Sequence, residues 1–314
     1  MIALYDCSNL KTNMDDLQRS WYEMKFRDTF RSKDGNGFQD FFSELMEMRY
    51  PGDFQRVKPY GKLGDRKCDG YHASIKAVYQ LYAPEAFKLA AMLRKIDEDF
   101  LGALAFWKGQ MLEWRFVHNQ WRGLAADVVF KLNSLGTIHK LPVAHWGEPE
   151  IRTEVFLLTD ADITLLLGYA PAKGNVSQLG FEDLRVVLEG IAQQPLPAEV
   201  EIKPVPQEKL KANALSDDAQ RLLLVGMQKS ALVGRFFSTW HDPQFGDRVA
   251  RAFRTRYEEL KAANILGDDA FFELLKFAGG AERKAPRIEA AVLAVLAFLF
   301  EACDIFEAPG ELKS

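Results

Sequence analysis

Up to residue 146 short alternating runs interrupt helical ones, and beyond about residue 150 no alternating run recurs; that switch limits the chain to an α/β part followed by an all-helical part. In the first part Phe38, Phe41, Phe42, Leu45 and Met46 share one helical face, between the turn-forming Asp34-Gly35-Asn36-Gly37 and Pro51-Gly52. Phe54 to Lys58 alternates as a strand, and a β-rich run from Ile75 to Tyr82 pairs with a strand following Cys68-Asp69-Gly70-Tyr71. A helix over about 84–107, a strand over 112–117, a helix over 121–135 and a strand over 142–146 complete the order helix, three strands, helix, strand, helix, strand. Hairpin-linked strands followed by helix-linked ones predict a mixed sheet with helices packed on it.

The second part reads as helices throughout. Thr159 starts a short one, Phe181 to Ala192 another, and Ser216-Asp217-Asp218 is an N-terminal cap for the next. Four prolines between Gln194 and Gln207 predict a linker. Apolar stripes follow at Leu232–Trp240, Val249–Leu260, Phe271–Phe277 and Ile288–Phe300. The expected division is a first domain over 1–150 and a helical, partner-docking domain over 151–314, with residues 1–20 as a partly ordered lead-in.

Charge separates function classes. The formal net charge is −4, so no global basic field draws the chain to nucleic acid. Residues 1–150 hold 21 Lys+Arg against 20 Asp+Glu, however, and residues 49–67 concentrate six basic side chains against two acidic ones. Arg56, Lys58, Lys62 and Arg66 are therefore candidate nucleic-acid contacts. Cys7, Cys68 and Cys303 are too few and scattered for a disulfide framework or a zinc site. The longest apolar run, Ala290 to Phe300, is about half the ~20 residues that span a bilayer, so it reads as a buried helix. No secretory start is visible either, and a cytoplasmic location without a membrane partner is expected. No GxxxxGK[ST] or GxGxxG occurs, which argues against nucleotide binding by the chain itself.

The segment Gly64-Asp65-Arg66-Lys67-Cys68-Asp69-Gly70 followed by Val78-Tyr79-Gln80-Leu81-Tyr82 carries the candidate chemistry. Phosphodiester hydrolysis needs oxygen ligands that hold divalent ions, plus a group to activate water. A carboxylate at the end of one strand and an oxygen ligand within its partner can converge on one ion, and an amide oxygen is acceptable to magnesium, though weaker than a carboxylate. As an Asp-Gly pair, Asp69-Gly70 is also an ordinary turn signal. Gln80 also reads as a buried strand residue, and Glu44 as a solvated one. His118 and Asn119 end a strand, where a structural histidine is the commoner case. Arg248, Arg251 and Arg254 read as a salt-bridged helix face.

The helix bearing Glu44, the G-x-x-x-x-D-G pattern at Gly64 to Gly70 and the strand bearing Gln80 resemble the Mrr-type branch of the PD-(D/E)xK, or restriction-endonuclease-like, nucleases. The order of elements over 35–146 is similar to that family's αβββαβ core. The resemblance implies a metal-dependent DNA nuclease acting on duplex DNA with Mg2+ or Mn2+. It makes Asp69 the principal metal ligand, Gln80 the second and Glu44 a third. The family's lysine, two residues after the second ligand, is Tyr82 here, and Lys67 or Lys76 is the candidate replacement. This departure keeps a rival open: a non-catalytic assembly or sensor subunit that binds nucleic acid or a partner. The helical part, with Asn213-Ala214-Leu215-Ser216, Phe236 to Trp240 and Cys303 to Glu307, resembles modules attached to such cores in bacterial anti-phage operons, such as the ABC-type three-component systems. That likeness implies an operon-encoded ATPase as partner and leaves self-association open.

Overall fold

The computed structural model describes residues 13–58, 65–192, 213–279, 285–302 and 305–306. Contacts divide the chain into two compact units, one built on Thr29–Leu166 and the other on Asn13–Asp28 with Leu167–Ser314. The first helix, α1 (Asp16–Ser32), contributes its residues up to Asp28 to the second unit. The lead-in expected over residues 1–20 is therefore helical from Asp16. Residues 1–12, like the Lys62 loop and the proline-rich linker, lie outside the described residues.

The first unit holds α2 (Gly35–Arg49), β1 (Phe54–Arg56), β2 (Gly70–His72), β3 (Ala77–Tyr82), α3 (Leu89–Phe106), β4 (Glu113–His118), α4 (Ala126–His139), β5 (Val143–Trp146), α5 (Glu148–Val155) and α6 (Asp160–Leu167). From α2 to β5 this is the expected order of elements. The five strands lie in the order β1-β2-β3-β4-β5. The pairs β1–β2 and β2–β3 are antiparallel, and β3–β4 and β4–β5 are parallel, because only the helix-linked strands have a crossover long enough to return in the same direction. Period-two alternation sorts the side chains. Tyr79 turns toward α2, where its ring meets Phe42, Phe54 and Trp146. Val78 turns the other way, into a core with Met92, Ile96 and Phe100 of α3, Trp114 and Phe116 of β4, and Val128 and Leu132 of α4.

Helix α3 starts at Leu89, five residues later than Pro84 suggested. Residues before a proline are disfavoured from the helical region, and the Ala83 carbonyl accepts the Gly35 N–H at the head of α2 instead. The Asp-Gly pair at 69–70 forms no turn: it enters β2, and the reversal lies at Ala73–Lys76, where Lys76 takes φ 51°.

The second unit is helical: α7 (Lys173–Ser177), α8 (Phe181–Ala192), α9 (Asp217–Met227), α10 (Ser230–Thr239), α11 (Phe245–Ala262), α12 (Gly267–Gly279) and α13 (Pro286–Glu301). Ser216 caps α9 by accepting the Ala219 N–H, as its sequence predicts. The apolar run at 290–300 becomes α13, buried on almost every side because α7, α8, α9, α10 and α12 all pack against it. At its crossing with α9, Gly226 lies so close that a Cβ there would fall 2.7 Å from both the Leu293 carbonyl oxygen and the Ala297 Cβ. The early part of α1 is tied into this unit through Arg27, which pairs with Asp218 and Asp268, and through Asp28, which pairs with Lys276.

Candidate functional site

Asp69 enters β2 with its backbone already in the ladder: its N–H donates to Tyr79 and its carbonyl accepts from Val57. Asp69 immediately precedes Gly70, whose partner across the β2–β3 ladder is Tyr79, and Gln80 immediately follows Tyr79, so the two side chains meet at the end of that ladder. Both side chains are buried. Gln80 Nε2 donates to Asp69 Oδ2 at 2.8 Å, and the Leu81 backbone N–H donates to the same oxygen at 2.7 Å. Gln39 of α2 donates through Nε2 to Oδ1 at 2.8 Å. Burial, foremost, pushes the Asp69 carboxyl up to about 6. The charges of Asp65 and Asp99 add to that rise, while the Leu81 N–H and Lys95 oppose it.

The helical contribution to this cluster is Gln39, not Glu44. Glu44 is exposed, and five residues along a helix carry it about 140° around the axis from Gln39. Tyr82 packs its ring on Phe116, with centroids 6.0 Å apart, and fills core space as an uncharged phenol. Lys67 sends its ammonium to Asp99, 2.9 Å away. Lys76 sits in the β2–β3 turn, at the opposite end of β3 from Gln80. Arg56 is engaged by Asp40 and Glu47, Lys58 is exposed, and the Arg66 guanidinium lies over the Phe106 ring. His118 is buried, accepts the Gln120 N–H on Nδ1 and is pushed down to about 3 by burial, with His145 adding to the shift. Asn119 bonds the Lys33 carbonyl, and Arg248 pairs with Asp242.

Sequence reasoning missed Gln39, Lys95 and Asp99. Asp99 carried a legible signal: it stands at helical spacing among Met92, Ile96 and Ala103, a charged side chain in an apolar slot. It is fully buried, and Lys67 and Lys95 both reach its Oδ1.

A magnesium or manganese centre would need Asp69 and a second hard oxygen ligand turned to one point. Here both Asp69 oxygens accept N–H donors, and the Gln80 amide presents nitrogen to the carboxylate while its Oε1 lies buried without a hydrogen-bond partner. Among the described residues no group of three or more His, Cys, Asp or Glu is placed to hold an ion. As arranged, these residues do not fit a divalent metal centre; they fit a carboxyl group held by amides.

Residues 182–307, beginning in α8 and running past the end of α13, match a family model described as C-terminal domain 10 of the ABC-three component (ABC-3C) systems. The helical unit is similar to an ABC-3C C-terminal domain. The match covers about two-fifths of the chain and supports the ABC-type three-component context expected from the helical sequence. The ABC-3C-like region contains Ser216, the Gly226 crossing and the buried α13, the features that hold the bundle together. No curated protein and no solved structure matches the chain. Among the described residues no helix is long and apolar enough to cross a membrane.

Proposed function

We propose that this chain is a subunit of an ABC-3C defence system whose α/β unit is a non-hydrolysing relative of the PD-(D/E)xK nucleases. In this reading the α/β unit engages nucleic acid, and the ABC-3C-like helical region docks a protein partner of the system. One observation carries the non-catalytic assignment. The site's carboxylate is hidden in the core, and Gln39, Gln80 and the Leu81 N–H occupy its oxygens where a nuclease would turn them to a cation. Two further features support the nuclease-like ancestry: the antiparallel-then-parallel strand order and the hydrogen bond that joins Gln80 of β3 to Asp69.

Metal-dependent DNA cleavage is the second reading, and the orphaned Gln80 Oε1 favours it. Rotating that amide would turn an oxygen toward Asp69, which becomes attractive only with a cation between them. Plasmid DNA incubated with Mg2+ or Mn2+ separates the readings. The proposal expects no cleavage from the wild-type chain that Asp69→Ala removes, with or without its partner proteins. Cation-dependent cleavage that disappears in Asp69→Ala transfers the assignment to the nuclease.

A further inference from the structure

Two lysines from different parts of the first unit converge on one carboxylate. Lys67, two residues before Asp69, places Nζ 2.9 Å from Asp99 Oδ1, and Lys95 of α3 places Nζ 2.8 Å from the same oxygen. Asp99 has no solvent exposure, while the two lysine side chains keep 39% and 37% of theirs. The buried anion thus anchors two ammonium groups whose outer faces reach water. Asp99 offsets one of the two positive charges, and Asp65 and Glu98 also act on Lys67.

The backbone is bent to make this arrangement. Arg66 and Lys67 adopt φ 56° and 60°, consecutive left-handed conformations that side-chain-bearing residues take only when their surroundings impose them. The Lys67 stem lies against Gly102, where a Cβ would come within 2.6 Å of its Cγ, so α3 carries glycine at the point the lysine crosses. Trp107 Nε1 donates to the Arg66 carbonyl and pins the segment to the end of α3. An aromatic ledge stands at the end of α3, next to the Arg66–Lys67 segment: Trp107 stacks on Tyr71 at 4.9 Å, and the Arg66 guanidinium lies over Phe106, itself 53% exposed.

We infer that Lys67 and Lys95, held on Asp99, form a two-ammonium grip for the phosphate backbone of a nucleic acid strand, with the Phe106–Trp107 ledge receiving its bases. Fixed cations near one exposed ring, Phe106, and a partly buried one, Trp107, match the chemistry of a strand: charge tracks phosphate, and flat apolar surface tracks bases without regard to sequence. The inference rests on the nucleic-acid reading above and adds to it the residues that do the holding. Asp99 is a positioning residue, acting through the lysines.

The test is fluorescence anisotropy of labelled duplex and single-stranded DNA with the full chain across a salt series, for wild type, Lys67→Gln, Lys95→Gln, the double variant and, as a charge-matched control, Lys140→Gln. Thermal unfolding verifies that each is folded. The double variant is expected to bind roughly tenfold more weakly near 0.1 M salt, and its log–log salt slope to shrink by about two, while the control stays near wild type. Asp99→Asn separates positioning from bulk charge: it makes the chain more positive, yet is expected to weaken binding. Wild-type binding that the double variant leaves unchanged overturns the grip and leaves the nucleic-acid reading standing. Tighter binding by Asp99→Asn overturns the positioning role, and a wild type that binds neither strand form overturns grip and reading together.

Discussion

The ring of Phe54 occupies the space where a side chain on Gly70 would begin: a Cβ there would lie 2.2 Å from Phe54 Cζ. Gly70 does not have a left-handed φ, so packing and not backbone freedom requires glycine at this position. Phe54 in turn meets Phe42 of α2 and Tyr79 of β3, so the contact joins β1, β2, β3 and α2 directly behind Asp69.

Gly70→Ala is therefore expected to destabilise the first unit by about 1–3 kcal/mol, the usual range for overfilling a packed core. Urea unfolding of the variant would read this as a lower midpoint at unchanged slope. Phe54→Leu in the Gly70→Ala background should recover part of the loss. A Gly70→Ala chain as stable as wild type would mean that the ring is free to move aside.

Asp69 predicts a definite pH dependence. Its folded value of about 6 exceeds the ordinary 3.8, so the native state binds the extra proton between those limits. Its contribution is present below about pH 4 and is lost as pH rises through about 6, by up to about 3 kcal/mol. Asp69→Asn keeps an acceptor and cannot ionise. The stability difference between wild type and Asp69→Asn should move in the variant's favour from pH 4 to pH 7, and a difference independent of pH would refute the assignment.

His118 acts in the opposite sense. Its folded value of about 3 lies below 6.5, so it contributes stability above about pH 6.5 that is lost as pH falls toward 3, ~5 kcal/mol at most. His118→Gln retains an acceptor for the Gln120 N–H and has no proton to gain, so its acid unfolding limb should be shallower than that of wild type. Equal limbs would place the acid sensitivity elsewhere.

In the helical unit, Gly226→Ala would force α9 away from the Leu293 carbonyl and the Ala297 methyl, both backed by main chain. A loss of about 1–3 kcal/mol is expected, well above the gain in helix propensity that alanine brings. Thermal unfolding followed by circular dichroism at 222 nm measures it. Ala297→Gly should relieve part of the loss by reopening the crossing.

Much of the fold was legible because hydrophobic spacing survives any tertiary arrangement. Phe38, Phe41 and Phe42 announced α2, the Val78–Gln80–Tyr82 alternation announced β3, and Ser216-Asp217-Asp218 announced the start of α9. Helix α1 escaped notice because its apolar residues alternate with charges that find their partners far along the chain, as Arg27 does at Asp218 and Asp268. The candidate site was legible in half. Asp69 and Gln80 could be assigned to neighbouring strands, whereas Gln39 lies 30 residues before Asp69 and carries no local mark of its destination.

The sequence alone determined the order of elements, the change from α/β to all-helical, the central burial of the 290–300 run and the pairing of the Asp69 and Gln80 strands. Each of these follows from periodicity, capping or turn chemistry, which act over a few residues. Only the tertiary structure decided what Asp69 meets: three N–H donors on its oxygens, and nearby a buried aspartate holding two lysines. Those contacts depend on where α2 and α3 lie against the sheet, and they set the local dielectric and the hydrogen bonding that govern the carboxylate's proton. No spacing along the chain encodes them.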